Sequence, residues 1–149
     1  MAVTKAPGKI ITLGLGSCVG ACFYDTFNQI GGMIHIMLPS SALATSRDNP
    51  AKFADTGIPL LLAEMQKLGT STANLVVKMV GGAEMFKIDG LDDRLRIGLR
   101  NIEAVEEMCR QYRLPVVARS VGGNVGKSIS LDLDDGGVQV RMVNGIVIL

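Results

Sequence analysis

Thr12-Leu-Gly-Leu-Gly-Ser-Cys18-Val-Gly-Ala-Cys-Phe-Tyr-Asp25-Thr-Phe-Asn28-Gln-Ile-Gly-Gly-Met-Ile-His35-Ile-Met-Leu38 decides how this chain folds. Lys9-Ile-Ile-Thr-Leu13 is a short β-branched run and reads as a strand. Gly14-Leu-Gly16-Ser17 breaks it. Residues 19–24 read as a second strand, and residues 30–38, apolar on both faces, as a third that lies centrally under cover. Asp25-Thr-Phe-Asn28 carries turn residues, so the second and third strands predict a hairpin. The stretch also holds the chain's one histidine, a cysteine and a glycine-rich backbone. A nucleophile, a base and backbone donors come together nowhere else in the sequence.

Side-chain alternation sets which residues share a face. Cys18, Gly20, Cys22 and Tyr24 point one way; Met33, His35 and Met37 share a face on the other strand. A hairpin closing at Asp25 and Asn28 around Thr26-Phe27 places Cys18 opposite His35. Directly opposed Cβ atoms stand about 4.5–5.5 Å apart, close enough for imidazole to take the thiol proton. A one-residue slip would send the two side chains to opposite faces. Gly20 and Gly32 are expected to leave room beside the pair. Gly16, Ser17 and Cys18 form a loop whose N–H groups are candidates for holding an oxyanion. Thr12 is a candidate for the third member, its hydroxyl accepting from the second imidazole nitrogen. The plainer readings stay open here. A cysteine in an apolar strand is commonly core, a lone histidine commonly structural, and Thr12 is a strand-former before it is an orienter. Ser17 is a rival nucleophile on the opposite face.

Beyond this stretch, residues 1–9 read as an irregular lead-in. A helix ends near Gly69, with Ile58, Leu61, Leu62, Met65 and Leu68 on one face. Either Asn49-Pro50 or Thr56 starts it. Residues 75–80 form a strand, and residues 87–96 are charged and loop-like. A second helix spans about residues 99–113 by its apolar spacing, with Ile102, Val105, Cys109 and Tyr112 inward, so Cys109 reads as a buried small hydrophobe. Residues 115–119 form a strand. Residues 128–133 and 138–143 alternate about Asp134-Asp-Gly-Gly137 and predict an antiparallel hairpin. The expected fold is a single α/β (α+β) domain over residues 1–149, with a mixed, largely antiparallel sheet and two main helices.

Composition narrows the function classes. The 149 residues are 48% hydrophobic and 19% charged, with a net charge of +1. That composition fits a globular fold and gives no electrostatic case for binding nucleic acid or an anionic membrane. No leader-like segment and no run of ~18 apolar residues is visible, so no membrane insertion is expected. Three cysteines fit free thiols in a reducing cytoplasm better than a disulfide framework. Cys18 and Cys22 are too few for a metal site with a single histidine, and Gly14-x-Gly16 is followed by a strand rather than the helix of a dinucleotide fingerprint. No cofactor is expected.

These residues resemble the CheD family of chemoreceptor glutamine deamidases. The resemblance rests on Thr12-Leu-Gly-Leu-Gly-Ser-Cys18-Val, Tyr24-Asp25 and Gly31-Gly-Met-Ile-His35-Ile-Met-Leu-Pro39. Further matches are Lys52-Phe-Ala-Asp55-Thr56, Gly81-Gly-Ala-Glu-Met-Phe86, Ile97-Gly-Leu-Arg-Asn101 and Gly122-Gly123-Asn124. It implies a cysteine hydrolase that converts glutamine side chains of methyl-accepting chemotaxis receptors to glutamate through a thioester, without a cofactor. Cys18 would be the nucleophile, His35 the base and Thr12 the third member. It also implies a layered sandwich similar to the catalytic domain of cytotoxic necrotizing factor toxins, and a CheC-type phosphatase as partner. Departures from the family pattern are a short lead-in that would lack an edge strand, Lys127 in place of an arginine, and a chain end soon after the last strand. Alternatives to the deamidase are a non-catalytic regulator binding that phosphatase or receptors, a thiol amidohydrolase or transglutaminase-like enzyme with another substrate, and a structural domain with an inert Cys18.

Overall fold

A computed structural model describes residues 1–44, 46, 48–84 and 96–149. Two sheets stack face to face, and two helices cover the outer face of the larger one. The five-stranded sheet runs in the order β1 (Ala2–Lys5), β4 (Ile30–Ile36), β3 (Val19–Asp25), β5 (Leu75–Gly81), β6 (Val116–Val121). All its pairings are antiparallel except β5 with β6. The second sheet is antiparallel throughout, in the order β2 (Lys9–Leu15), β7 (Lys127–Asp132), β8 (Val138–Met142), β9 (Gly145–Ile148). Helices α1 (Ala54–Lys67) and α2 (Ile97–Gln111) lie on the first sheet, so the expected mixed, largely antiparallel α+β sandwich is what forms.

Strand β3 explains the layering. Every residue in it is buried. Val19, Ala21 and Phe23 face the helices, where they join Ile34, Ile58, Leu61, Met65 and Val105 in one core. Cys22 faces the other way, into a second core with Met33, Leu15, Ile129, Leu131 and Val140. One strand with period-two alternation thus supplies both apolar layers.

Strand β2 crosses from the second sheet into the first through the glycine loop. Ile10 and Thr12 face inward, and an irregularity between Thr12 and Leu15 shifts the pairing with β7 by one residue. The extra residue makes Leu15 face inward as well, which strict alternation from Thr12 would forbid. Gly14 takes φ +71°, so the bulge falls where an L side chain would be strained. The strand therefore runs two residues past its expected end at Leu13.

Several expectations need correction. The lead-in is not irregular: Ala2–Lys5 is an edge strand beside β4, so the edge strand is present. A further strand, β9, follows the predicted hairpin and pairs with β8. The β3–β4 hairpin is two residues longer in its turn than expected. Asp25 pairs with Ile30, and Gly20, not Cys18, lies opposite His35. The buried Asp25 sets this turn. Its carboxylate accepts from the Phe27 and Asn28 amides and the Asn28 side chain, and its carbonyl accepts from Gln29 N–H at 2.9 Å. Those hydrogen bonds hold the Asp25 carboxyl below its ordinary value despite the opposing push of burial.

Gly20 and Gly32 do not open space for a substrate. A Cβ at Gly20 would meet Ile129 at 2.7 Å and Leu15 at 2.9 Å, and one at Gly32 would meet Met65 on the helix side. Both glycines permit close packing of the layers. In α1, Ile58, Leu61, Leu62 and Met65 are buried as their spacing predicts, whereas Leu68 is exposed. Tyr112 is likewise exposed at the end of α2. Both are C-cap residues, where the chain turns off the sheet. Neither expected start opens α1: Asn49 caps a separate 3-10 turn, Pro50–Lys52, Thr56 lies inside the helix, and the helix proper opens after Phe53. Of the charged stretch 87–96, only Arg96 lies within the described residues.

Candidate active site

Three elements converge at one end of the central sheet. The inward-facing Thr12 of β2 reaches across the inter-sheet layer to His35 of β4, with Thr12 Oγ1 3.0 Å from His35 Nδ1. This contact requires His35 to face the second sheet, as its alternation with Met33 predicts. It occupies one ring nitrogen and leaves Nε2 for proton transfer.

Cys18 sits immediately before β3, half-buried, packed against the inter-sheet core. The hairpin register places it two residues along from the position facing His35 and on the same face. In a regular ladder such diagonal neighbours stand about 7–8 Å apart, within reach of an aromatic ring. Because Cys18 precedes the ladder, its loop and not the strand pairing determines its approach.

That loop is anchored through its carbonyls. Gly16 C=O accepts from Ala83 N–H at 2.8 Å, Ser17 C=O from Asn101 Nδ2 at 3.0 Å, and Cys18 C=O from Gly82 N–H at 2.8 Å. The Gly16 N–H donates to the Gly14 carbonyl at 3.1 Å, which removes it from the expected set of oxyanion donors. Among the described residues, no backbone carbonyl takes the N–H of Ser17 or Cys18. Gly81 and Gly82 make the anchoring possible. A Cβ on Gly81 would lie 2.3 Å from the Cys18 carbonyl oxygen, and Gly82 adopts φ +66° as the strand ends.

Electrostatics favour an uncharged pair at rest. Burial pushes the Cys18 thiol above its ordinary value, partly offset by its own backbone amide, which favours the thiolate. Burial pushes the His35 imidazole below its ordinary value, and the terminal ammonium adds to the effect. The other two thiols are less reactive candidates. Cys22 is fully enclosed, with its pKa pushed up to about 12 by burial, and Cys109 is pushed up to about 11. Ser17, the rival nucleophile, is exposed and held through its carbonyl. Among the described residues, no three His, Cys, Asp or Glu side chains are grouped to hold a metal ion.

Sequence reasoning placed Thr12, Cys18 and His35 at one site but missed Asn101. It falls on the apolar face of α2, one position before Ile102, where spacing predicts only packing. A buried amide among apolar neighbours is the signal that marks it.

A family profile described as CheD chemotactic sensory transduction matches residues 37–142. A probable chemoreceptor glutamine deamidase CheD from Syntrophomonas wolfei is 45% identical over 95% of this chain and 88% of its own length. Relatives of the same description from Clostridium tetani and Desulforamulus reducens are each 43% identical over 95% of this chain, covering 86% and 85% of their own lengths. With that coverage and identity on top of the layered fold, the chain belongs to the CheD family.

Proposed function

We propose that this protein is a hydrolase that deamidates glutamine side chains of methyl-accepting chemotaxis receptors to glutamate, with Cys18 as nucleophile. The activity is the one for which its relatives are named, chemoreceptor glutamine deamidation. The observation that carries the mechanism is the Thr12–His35 contact at 3.0 Å, on the face of β4 that Cys18 shares. A histidine used only for packing needs no hydroxyl on Nδ1; one that must cycle a proton at Nε2 needs its tautomer held.

His35 Nε2 takes the Cys18 proton as the sulfur attacks the glutamine carboxamide carbon. The neutral resting pair suits transfer at this moment, because the imidazole is already a free base. The tetrahedral oxyanion is held by the Ser17 and Cys18 N–H groups, whose loop is pinned from behind by its carbonyls. His35 then protonates the departing nitrogen, ammonia leaves, and a thioester remains. Water gives a proton to His35 and attacks the thioester carbon. The thiolate leaves, recovers its proton from His35, and glutamate is released.

Three free thiols fit a reducing cytoplasm as the place of action. Among the described residues, no helix is long and apolar enough to cross a membrane. A CheC-type phosphatase is the further partner proposed, on the family resemblance, with retention of the Cys18→Ala protein on immobilised phosphatase as its check.

The decisive experiment incubates a receptor cytoplasmic fragment with wild type and with Cys18→Ala. Wild type adds about one mass unit at each deamidated glutamine, as replacement of the amide by an acid requires. Cys18→Ala adds none while keeping its circular dichroism and melting transition. Deamidation by the variant would overturn the assignment.

A further inference from the structure

The β3–β4 ladder stops at Val19 and Ile36. The next pair outward would be Cys18 and Met37, but there the strands part. Met37 and Leu38 N–H groups turn away to the carbonyl of Lys52, and the Cys18 carbonyl turns to Gly82. One side chain bridges this open end. Asn101 Nδ2 donates to Ser17 C=O at 3.0 Å and to Met37 C=O at 3.1 Å. Ser17 precedes the proposed nucleophile, and Met37 follows the proposed base by two residues. Both partners are carbonyls, so the amide's orientation is dictated by chemistry: nitrogen must face them.

The arrangement is costly in a way that packing does not explain. Asn101 is fully buried, and among the described residues its Oδ1 has no hydrogen-bond partner. A leucine of the same branching would suit the apolar face of α2, beside Val105, and would remove the unsatisfied oxygen, but it would strip the Ser17 and Met37 carbonyls of their donor. A buried polar side chain that leaves one atom unsatisfied while bridging two segments of a site has a positional use.

We propose that Asn101 is a positioning residue that sets the separation of Cys18 and His35 by clamping the open end of their hairpin from the helix side. The proposal rests on the reading of Cys18 and His35 as nucleophile and base. It assigns Asn101 no contact with substrate.

The test uses alkylation of Cys18 by iodoacetamide at neutral pH, which needs no receptor, together with steady-state deamidation of a receptor fragment. Asn101→Leu and Asn101→Ser are each made in the wild-type and the His35→Gln backgrounds. Leucine removes the donor with the side chain's branching kept, and the smaller serine guards against overpacking. Because the clamp acts through the Cys18–His35 geometry, each variant should slow Cys18 alkylation about 10-fold in the wild-type background and less than about 2-fold in the His35→Gln background, the non-additivity expected of residues acting as one unit. Deamidation should lose kcat about 10-fold or more, with KM within about 2-fold, since remote binding is untouched. Equal slowing in both backgrounds, or loss of thermal stability with unchanged alkylation, would overturn the clamp. Absence of deamidation by wild type would instead overturn the enzyme assignment and leave the alkylation cycle to judge Asn101 alone.

Discussion

At the scale of single residues, the proposed site rests on one hydrogen bond whose direction follows the proton. When His35 is neutral with its proton on Nδ1, that proton goes to Thr12 Oγ1 and Nε2 is a base; when His35 is charged, the same bond stabilises the cation. Burial lowers the His35 pKa below its ordinary 6.5, so the acid limb of kcat/KM should fall below that value, where protonation of the free enzyme removes the base. Thr12→Val keeps shape and removes the hydroxyl. It should lower kcat roughly 10-fold, the equivalent of a neutral hydrogen bond of about 1.4 kcal/mol. It should also move the acid limb to still lower pH, because the imidazolium loses its acceptor. A pH–rate profile of the two proteins checks both. An acid limb moved upward would mean that Thr12 donates to, and stabilises, the neutral ring. The same depressed pKa has a stability counterpart. Between the ordinary and the folded value the unfolded chain binds the extra proton, so this group's contribution weakens as pH falls through that window.

At the scale of elements, the glycines around Cys18 differ in what they demand. Gly14 takes a positive φ in open surroundings, so Gly14→Ala should cost about 1 kcal/mol of backbone strain. Gly81 combines φ +109° with backbone contact to the Cys18 carbonyl. Gly81→Ala should therefore cost about 2–4 kcal/mol in urea unfolding and slow Cys18 alkylation, because the loop must move to admit the methyl group. A cost at Gly81 no larger than at Gly14 would show that the loop yields freely. The elements themselves were mostly legible where a period was present: Val19 to Tyr24, the β7–β8 hairpin and both helix faces follow simple alternation or helical spacing. Strands β1 and β9 were not, because each has four residues, mostly exposed, and their pairing is a tertiary fact. The residues of the proposed trio were legible from chemistry, but their register was not. Parity survived because the turn is longer by two residues, an even number, and the Asp25 carboxylate that lengthens it looks in sequence like any turn aspartate. Asn101 was hidden because its partners lie 84 and 64 residues away.

At the scale of the whole molecule, both apolar layers depend on the same central sheet, and this sets how the protein should come apart. Cys22 lies between the sheets and Cys109 under the helices, each about 1% exposed. Stripping away the four-stranded sheet would bare Cys22 first; peeling off α1 and α2 would bare Cys109 first. Among the described residues, neither layer has an independent partner for its apolar face. The four-stranded sheet buries Ile10, Leu15, Ile129, Leu131 and Val140 only against the central sheet, and it is stitched there by the Tyr24 hydroxyl to Leu133 C=O at 3.0 Å and by Lys78 to Gly136 C=O at 2.9 Å. The helices bury Ile58, Leu61, Met65 and Val105 against the other side of the same strands. Losing either layer exposes one face of β3, a strand buried along its whole length, so partial states retain little of the burial that holds the rest. Pulsed alkylation across a urea series, with Cys18 replaced by alanine, should therefore show Cys22 and Cys109 becoming reactive at one midpoint, coincident with loss of the circular dichroism signal. Their high pKa values make both nearly silent before that point. If Cys22 reacts at clearly lower urea than Cys109, the second sheet opens as a separate cooperative unit. Thr12 would then leave His35 before the helices unfold, and activity would be lost ahead of the main transition.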